Sequence, residues 1–387
     1  MDDDEVVQQP TKRRRLCEAE AASTLAVRRL NPREQSHIGG EYNNVTTDGY
    51  SRNHFGDTYN FNPFDRGRGR SKDDILLESL TFSRMDARLN NVTRALPKTC
   101  DWLFSHTKFK VWLQDTQIND HHGFLWIKGK PGSGKSTIMK NVWTWAKKKL
   151  SGNIILSYFF NARAPDDLEK SSLGLYRSLV HQILCKIPQS KPVFFARFAL
   201  KERDGIVDEW SAVELQEFLI DIVKTIDTHP LSIFIDALDE GEEDDVRKMI
   251  DFLQELGQHS SSANTRPRVC LSSRHFPYIS IRKGLSLIVE HQAEHQQDIE
   301  KYVEENLIGL DSLEIKKLKE DVCLKADGIF LWVVLVVRML KKVYDRGCGI
   351  PAMTKLLKEV PKDLEGLFAD ILNRISEDRE SCVSLLQ

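Results

Sequence analysis

The chain has 387 residues, 41% hydrophobic and 29% charged, which excludes a small disulfide-stapled protein and a wholly disordered chain. Its 55 basic and 57 acidic residues give a formal net charge of -2, so no global positive field favours nucleic acid as a partner. Seven scattered cysteines without a C-x-x-C pair indicate reduced thiols in an intracellular protein.

Residues 1–70 show no sustained hydrophobic period, which predicts a flexible leader. The acidic start lacks the positive charge and the apolar run of a signal peptide, so we expect a cytoplasmic protein. The basic run KRRR at residues 12–15 fits a nuclear import signal, and a solvated charge run fits it equally well. Residues 53–64 fit an unstructured linker better than a self-associating segment.

A helical segment is predicted over residues 71–120. Apolar residues recur at helical spacing from residue 75 to Pro97, and two short aromatic segments follow within residues 99–113. The simplest interpretation of these aromatics is that they are helix faces packed on a core.

From residue 124, short apolar runs alternate with amphipathic helices, which is typical of a parallel sheet with crossover helices. The candidate strands are residues 124–127, 154–160, 231–235, 269–272 and 286–289. A capping box, Ser211 with Glu214, predicts the start of one helix, and Gly257 predicts the end of another.

After residue 295 the chain is predicted to be all-helical. The predicted helices span residues 299–307, 313–326, 329–343 and 363–375. The nine-residue apolar run within them is far shorter than the roughly 20 residues of a membrane span, so we expect no membrane partner. The predicted fold class is therefore α/β, a parallel sheet domain followed by a small α-helical domain.

The segment GKPGSGKST at residues 129–137 matches the phosphate-binding pattern G-x-x-x-x-G-K-[ST], directly after the first candidate strand. Glycines let backbone N–H groups turn toward an anion, and the helix that follows presents its positive end. Lys135 would reach the β- and γ-phosphates, Ser136 would ligate Mg2+, and Thr137 would help to cap the helix. The predicted nucleotide-binding residues are Gly129, Lys130, Pro131, Gly132, Ser133, Gly134, Lys135, Ser136 and Thr137. The alternative, an ordinary glycine-rich turn, is disfavoured by the order of strand, loop and helix.

A second block, LSIFIDALDE at residues 231–240, supplies acidic groups at a strand end. Asp236 would hold the Mg2+ at the carboxyl end of a buried strand. Asp239 or Glu240 would orient or deprotonate the attacking water. For Asp239 and Glu240, an exposed acidic loop is the alternative interpretation.

Arginines follow two other candidate strands. Arg274 comes after the strand at residues 269–272, at the edge where open α/β sheets bind ligands, so it would sense the γ-phosphate. Arg163, after the strand at residues 154–160, is a second candidate with less support. A surface position or a structural ion pair is the alternative for both.

The segments GKPGSGKST, IFIDALDE and LSSR at residues 271–274 resemble the NACHT class of signal-transducing P-loop NTPases, in the STAND group. Residues 76–104, 121–137 and 326–337 look like its fungal branch, the nephrocystin-3-like amino-terminal nucleoside triphosphatases, which include heterokaryon-incompatibility proteins and NOD-like receptors. The resemblance covers residues 75–387. It implies a five-stranded parallel sheet with the Arg274 strand between those of Lys135 and Asp236, a helical domain, and nucleotide-controlled oligomerisation.

The chain departs from the family at its helical end. Gly328-Ile329-Phe330 has no proline where many relatives have Gly-x-Pro, and a complete winged-helix domain and a repeat array do not follow. A truncated product, a fragment and a stand-alone module stay open as interpretations. The predicted organisation is a leader at 1–70, a helical segment at 71–120, a P-loop NTPase domain at 121–295, a helical domain at 296–362 and the start of a truncated winged-helix region at 363–387.

Together these residues predict an ATP- or GTP-binding molecular switch with slow, Mg2+-dependent hydrolysis that controls signalling or self-assembly. Its expected partners are a purine nucleotide and either further copies of the chain or a signalling protein. Two alternatives are a scaffold that binds nucleotide without hydrolysing it and a small-molecule phosphotransferase. The phosphotransferase lacks an acceptor-binding motif between Lys135 and Asp236.

Overall fold

The computed structural model describes residues 71–384, apart from 115–116, 205, 207–208, 226–229, 259–265, 277–280 and 308–312. The predictions for the leader, the basic run at 12–15 and the segment 53–64 therefore lie outside the described residues. Lys72–Leu367 forms one compact unit, and the chain from Phe368 onward belongs to a second. The predicted domain boundaries stay predictions.

Five parallel strands form one sheet in the order β2-β3-β4-β1-β5. They are β1 Phe124–Lys128, β2 Ile154–Phe159, β3 Leu231–Asp236, β4 Arg268–Ser273 and β5 Leu285–Ile288. All five predicted strands are confirmed, with bounds that shift by one or two residues. Strand β4 lies between β1 and β3, as the family resemblance implies. Every residue of β2, β3 and β4 is buried, which explains their near-continuous apolar sequences.

Helices cover both faces of the sheet. They are α6 Lys135–Lys149 after β1, α7 Ser172–Lys186, α8 Lys191–Arg203 and α9 Ala212–Thr225 between β2 and β3, and α10 Glu243–Leu256 after β3. Leu179, Phe218 and Leu253 belong to the core on one face, and Phe109 and Ile138 belong to the core on the other. A sheet with helices on both faces and all strands parallel exposes the carboxyl ends of its strands at one common edge.

The predicted capping box is confirmed at the start of α9. Ser211 N donates to Glu214 Oε2 at 3.0 Å, and Glu214 N donates to Ser211 Oγ at 3.3 Å. Helices α7 and α8 have no counterpart among the predicted elements. Most of α7 is buried, with polar residues such as Arg177 and His181 among the buried ones, so its sequence has no clear polar face.

The segment before the sheet contains α1 Lys72–Glu78, α2 Ala87–Asn91, α3 Trp102–Ser105, α4 Thr107–Leu113 and α5 Ile118–His121. The apolar residues that recur at helical spacing up to Pro97 thus lie in or next to two short helices, α1 and α2. Arg84, between these helices, has a left-handed φ of 65°. The expected packing of the aromatic segments is confirmed. Leu103 and Trp112, one from each segment, are fully buried, and Trp112 Nε1 donates to Gly123 O at 2.7 Å.

The chain after β5 is helical, as predicted. It contains α11 Ala293–Asn306, α12 Leu313–Ala326, α13 Phe330–Asp345, α14 Gly349–Glu359 and α15 Leu364–Ser384. Helix α14 was not among the predicted elements. Trp332 is fully buried in this region, and its Nε1 donates to Pro361 O at 2.8 Å. Among the described residues, no helix combines the length and the hydropathy needed to cross a membrane.

Candidate nucleotide-binding site

The loop between β1 and α6 has the backbone of a phosphate cradle. Gly132 and Gly134 have φ values of +74° and +96°, in the left-handed region that favours glycine. Gly134 is the N-cap of α6 and provides no side-chain cap, so the first turn of the helix keeps its N–H groups directed at the loop. A helix of 15 residues behind such a loop is suited to an anion.

The predicted role of Thr137 as a helix cap is wrong. Thr137 is the third residue of α6, and the capping position is Gly134, where no side-chain hydrogen bond forms. A side-chain cap would occupy N–H groups at the helix start, whereas a glycine leaves them available to an anion.

Lys135 is buried at the start of α6, with 9% of its surface exposed. Its Nζ donates to Gly129 O and to Lys130 O, both at 2.9 Å. Burial lowers the pKa of Lys135, and Asp239 opposes that shift. Its hydrogen-bond partners are neutral carbonyls of the loop. Neither partner is a carboxylate, so these hydrogen bonds leave the positive charge of the ammonium group uncompensated.

Asp236 is fully buried at the carboxyl end of β3. Ser272 Oγ donates to Asp236 Oδ1 and accepts a hydrogen bond from Ala237 N at 3.0 Å. Burial raises the pKa of Asp236, and the hydroxyls of Ser272 and Ser136 lower it. Within the described ranges, the second carboxylate oxygen, Oδ2, has no hydrogen-bond partner.

These residues fit a Mg2+ ion. The unpaired Oδ2 of Asp236 and the nearby Ser136 hydroxyl are hard oxygen ligands of the kind that Mg2+ prefers. In the part of the chain that the structure describes, no group of three or more His, Cys, Asp or Glu side chains could hold a metal ion. When Mg2+ is bound with a nucleotide, phosphate oxygens and water would be its other ligands.

Asp239 lies in a single 3-10 turn, Leu238–Glu240, that follows a left-handed residue, Ala237, with φ 59°. Arg274 contacts Asp239 twice: its Nε lies 2.9 Å from Oδ2, and its backbone N donates to Oδ1 at 2.8 Å. The Asp239 side chain is 7% exposed and that of Arg274 is 34% exposed. The two predicted site residues are therefore brought together as a partly buried ion pair.

Glu240 is held by two partners. Arg88 Nη2 lies 3.2 Å from its Oε1, and Ala162 N donates to its Oε2 at 2.9 Å. Burial raises the pKa of Glu240, and Arg88 lowers it. Arg88 was not predicted as a site residue, since it is 152 positions away from Glu240. Arg163 is exposed on the turn after β2.

Two further groups reach the loop from the chain after β4. Glu290 Oε2 accepts a hydrogen bond from Lys130 N at 3.3 Å, and Glu290 Oε1 lies 2.5 Å from His275 Nε2. Lys130 Nζ contacts Asp327, with 2.5 Å to Oδ2 and 3.2 Å to the carbonyl oxygen. No sequence motif marked Glu290 or Asp327.

The helical region after α12 packs directly on the loop between β1 and α6. Leu331 N donates to Gly132 O at 2.9 Å. A Cβ on Gly132 would lie 2.8 Å from Leu364 Cδ1 and 3.0 Å from Leu331 Cβ. Gly328, the first residue of the modified Gly-x-Pro pattern, has φ +77°, and a Cβ there would lie 2.5 Å from Glu290 Cβ. The contact with the loop thus exists although the proline is absent.

A parallel sheet in this strand order, with a glycine cradle after β1 and a buried aspartate at the end of β3, defines the P-loop NTPase class of fold. Residues 98–274 match the family model described as Nephrocystin 3, N-terminal. Over 304 residues the chain is 26% identical to the Vegetative incompatibility protein HET-E-1 of Podospora anserina, an alignment that covers 74% of this chain. The expected relationship to fungal NACHT-type proteins is confirmed.

The same alignment covers 21% of HET-E-1, so the chain spans about a fifth of that protein. Among solved structures, the chain aligns with the ORC2 protein of Aeropyrum pernix in its ADPNP-ADP complexes at 13% identity and a TM-score of 0.39, over 73% of this chain and 71% of the other. It also aligns with PCH-2 of C. elegans at 9% identity and a TM-score of 0.32, over 78% and 73%.

Proposed function

We propose that the chain binds a purine nucleoside triphosphate, ATP or GTP, together with Mg2+ and acts as a molecular switch with slow hydrolysis. The observation that carries this proposal is the unpaired Oδ2 of the fully buried Asp236, at the sheet edge where the glycine loop and Lys135 lie. A buried carboxylate oxygen without a partner is costly in a folded protein unless a ligand completes it. A metal bound to a polyphosphate is the ligand that this surrounding chemistry fits.

Phosphate binding would fall to residues 129–137. Their backbone N–H groups and the first turn of α6 would surround the phosphates, and Lys135 Nζ would exchange its two carbonyl partners for phosphate oxygens. Ser136 and Asp236 would hold the Mg2+. When bound, this ion would neutralise charge on the β- and γ-phosphate oxygens.

In hydrolysis, the oxygen of water would form a bond to the γ-phosphorus while the bond from that phosphorus to the β–γ bridging oxygen breaks. The products are the nucleoside diphosphate and inorganic phosphate, and one water proton would pass to Glu240 or Asp239. Burial raises the pKa of Glu240, which makes its carboxylate a stronger base than an exposed one. Arg274 would sense the γ-phosphate from its position beside Asp239.

The contact of the α12–α13 turn with the loop suggests how nucleotide would act as a switch. Since Leu331 N donates to Gly132 O, and Lys130 pairs with Asp327, a shift of the loop on phosphate binding would be transmitted to the helical region. By likeness to HET-E-1, whose name refers to vegetative incompatibility, we infer that this change would control signalling or self-assembly. A second copy of the chain or a signalling protein would be the partner.

A scaffold that binds nucleotide without hydrolysing it remains a second candidate, because both candidate water-activating carboxylates are already paired with arginines. Single-turnover phosphate release separates the two functions. A hydrolase releases phosphate faster than an Asp239→Ala/Glu240→Ala double variant that binds nucleotide equally well. Equal rates for the two proteins would favour the scaffold.

A further inference from the structure

Arg88 connects the segment before the sheet to the acidic end of β3. It lies in the short helix α2, and its Nη2 donates to Glu240 Oε1 at 3.2 Å. The side chains of Arg88 and Glu240 are 28% and 18% exposed, so the ion pair is largely shielded from water. Shielding strengthens such a pair relative to an exposed one.

The contact fixes one side of the Glu240 carboxylate while the backbone fixes the other. Ala162 N, on the turn after β2, donates to Oε2 at 2.9 Å. Each carboxylate oxygen can accept a further hydrogen bond, so Glu240 is oriented by these partners and can still bind a water. Among the contacts described for Glu240, Arg88 is the one that holds Oε1, and Ala162 N holds Oε2. Without Arg88, Oε1 would lose that contact.

Charge balance also favours a specific role for Arg88. Asp236 and Asp239 both raise the pKa of Glu240, because like charges disfavour a second carboxylate nearby. Arg88 acts in the opposite direction on Glu240 and on Asp236. It is thus a positive charge placed close to two of the three carboxylates at this edge.

The element that carries Arg88 is attached to the phosphate-binding helix. Lys140 Nζ, on α6, donates to the carbonyl oxygens of Leu89 at 2.8 Å, Asn90 at 3.3 Å and Val92 at 2.6 Å. A cation on the carbonyls at the end of a helix both satisfies them and stabilises the helix dipole. Helix α2 therefore keeps its position relative to α6, and Arg88 is held in place.

Arg88 also has an unused donor. Its Nε is buried and has no hydrogen-bond partner in the described part of the chain. A buried N–H without an acceptor is costly, which indicates that an oxygen of water or of a bound ligand belongs there.

We propose that Arg88 is a positioning residue for nucleotide hydrolysis: it holds the Glu240 carboxylate beside Asp236, facing the water that attacks the terminal phosphate. This inference rests on the proposed hydrolytic function. The inference takes Glu240, rather than Asp239, as the carboxylate that accepts the water proton in the proposed hydrolysis, and Arg88 itself neither gains nor loses a proton.

The test uses the full chain with Arg88→Ala, Arg88→Gln and Arg88→Lys, and Arg94→Ala as the matched control, since Arg94 is an exposed arginine on the same segment. Calorimetry gives the Kd for Mg2+-ATP, and single-turnover phosphate release gives the rate. We expect Arg88→Ala and Arg88→Gln to slow hydrolysis about 10-fold, a modest share of the effect of a general base, with Kd changed less than about 3-fold. Arg88→Lys restores part of the rate, and Arg94→Ala behaves as the wild type.

A double-mutant cycle with Glu240→Gln distinguishes positioning from general loss of structure. If Arg88 acts through Glu240, Arg88→Gln causes no further loss of rate in the Glu240→Gln background. Additive losses, or a wild-type rate for Arg88→Gln, would overturn the role of Arg88 while leaving the proposed hydrolysis intact. A wild-type chain that binds Mg2+-ATP and releases no phosphate would overturn the proposed hydrolysis and the role of Arg88 together.

Discussion

Among single residues, Asp236 combines complete burial with a carboxylate oxygen that accepts no hydrogen bond from the described chain. Burial raises its pKa, which means that the ionised form is disfavoured in the folded protein without a ligand. The ionised side chain of Asp236 thus costs stability by itself, and in the proposed function a bound cation would offset that cost.

Asp236→Asn tests this trade between stability and binding. Without nucleotide, we expect a melting temperature at least as high as that of the wild type, because the amide carries no buried charge. Mg2+-ATP at about 100 times its Kd would stabilise the wild type by about 2.7 kcal/mol and the variant by much less. Thermal melts with and without Mg2+-ATP measure both effects, with Asp251→Asn, an exposed position on α10, as the control. A variant that melts lower and still responds to Mg2+-ATP would argue against a metal site.

His295 provides a second prediction for a single residue. Its ring is buried, Nε2 lies 3.0 Å from Gly328 O, and burial lowers its pKa below the ordinary value. The unfolded chain therefore binds this proton more readily than the folded chain, so stability falls as pH drops below about 6.5, the unfolded value. We expect His295→Gln to lose less stability than the wild type between pH 7 and pH 5, in urea titrations at each pH. Equal losses would show that the pKa of His295 is the same in the folded and unfolded chains, and would contradict this prediction.

At the level of elements, the loop between β1 and α6 is shaped by two glycines with different constraints. Gly132 combines a left-handed φ with close contacts to Leu364 and Leu331, whereas a Cβ at Gly134 would meet nothing within 4 Å. The pair separates the cost of backbone conformation from the cost of displacing the helical region.

We expect Gly134→Ala to lower the free energy of unfolding by about 1–2 kcal/mol, the cost of a left-handed alanine. Gly132→Ala should cost more, because its Cβ would also push apart the contacts at 2.8 and 3.0 Å. Urea unfolding of both variants measures the difference. Equal costs would mean that Leu331 and Leu364 can move away from the loop without loss of stability.

The elements also show which features the sequence can predict. The glycine loop after β1, the five strands and the capping box depend on residues close together in the chain, so local patterns predict them. The contacts around the candidate site join residues that are far apart in the chain. Arg88 contacts Glu240 across 152 positions, and Lys130 contacts Asp327 across 197. Such pairs follow from the strand order and the helix packing, which no local pattern specifies. The prediction that Thr137 caps the helix was wrong for a related reason, because the loop conformation places Gly134 at the N-cap of α6.

At the level of the whole molecule, the loop is a junction between the sheet and the helices that follow it. Lys130 bonds to Asp327 in the α12–α13 turn, and Gly132 bonds to Leu331 at the start of α13, so the occupancy of the loop and the position of these helices would be coupled. A ligand shifts such an equilibrium only if it binds the two arrangements with different affinity.

Light scattering after size exclusion tests whether this coupling controls assembly. Samples carrying ADP, a non-hydrolysable ATP analogue or a GTP analogue are compared with nucleotide-free protein. We expect the mass to change with a triphosphate analogue and to remain at the nucleotide-free value with ADP. The same mass in all samples, at concentrations that saturate the site, would contradict nucleotide-controlled self-association and leave a separate signalling protein as the partner.

The most direct test of the central claim is calorimetric titration of Mg2+-ATP and Mg2+-GTP into the wild type, Lys135→Ala and Lys149→Ala. Lys135 is buried on the loop carbonyls, whereas Lys149 is exposed at the far end of the same helix. We expect saturable binding of at least one nucleotide to the wild type and to Lys149→Ala, and affinity reduced at least about 10-fold in Lys135→Ala, the loss of a charge-assisted contact. Binding to Lys135→Ala as tight as to the wild type, or no heat with the folded wild type, would contradict a phosphate site in this loop.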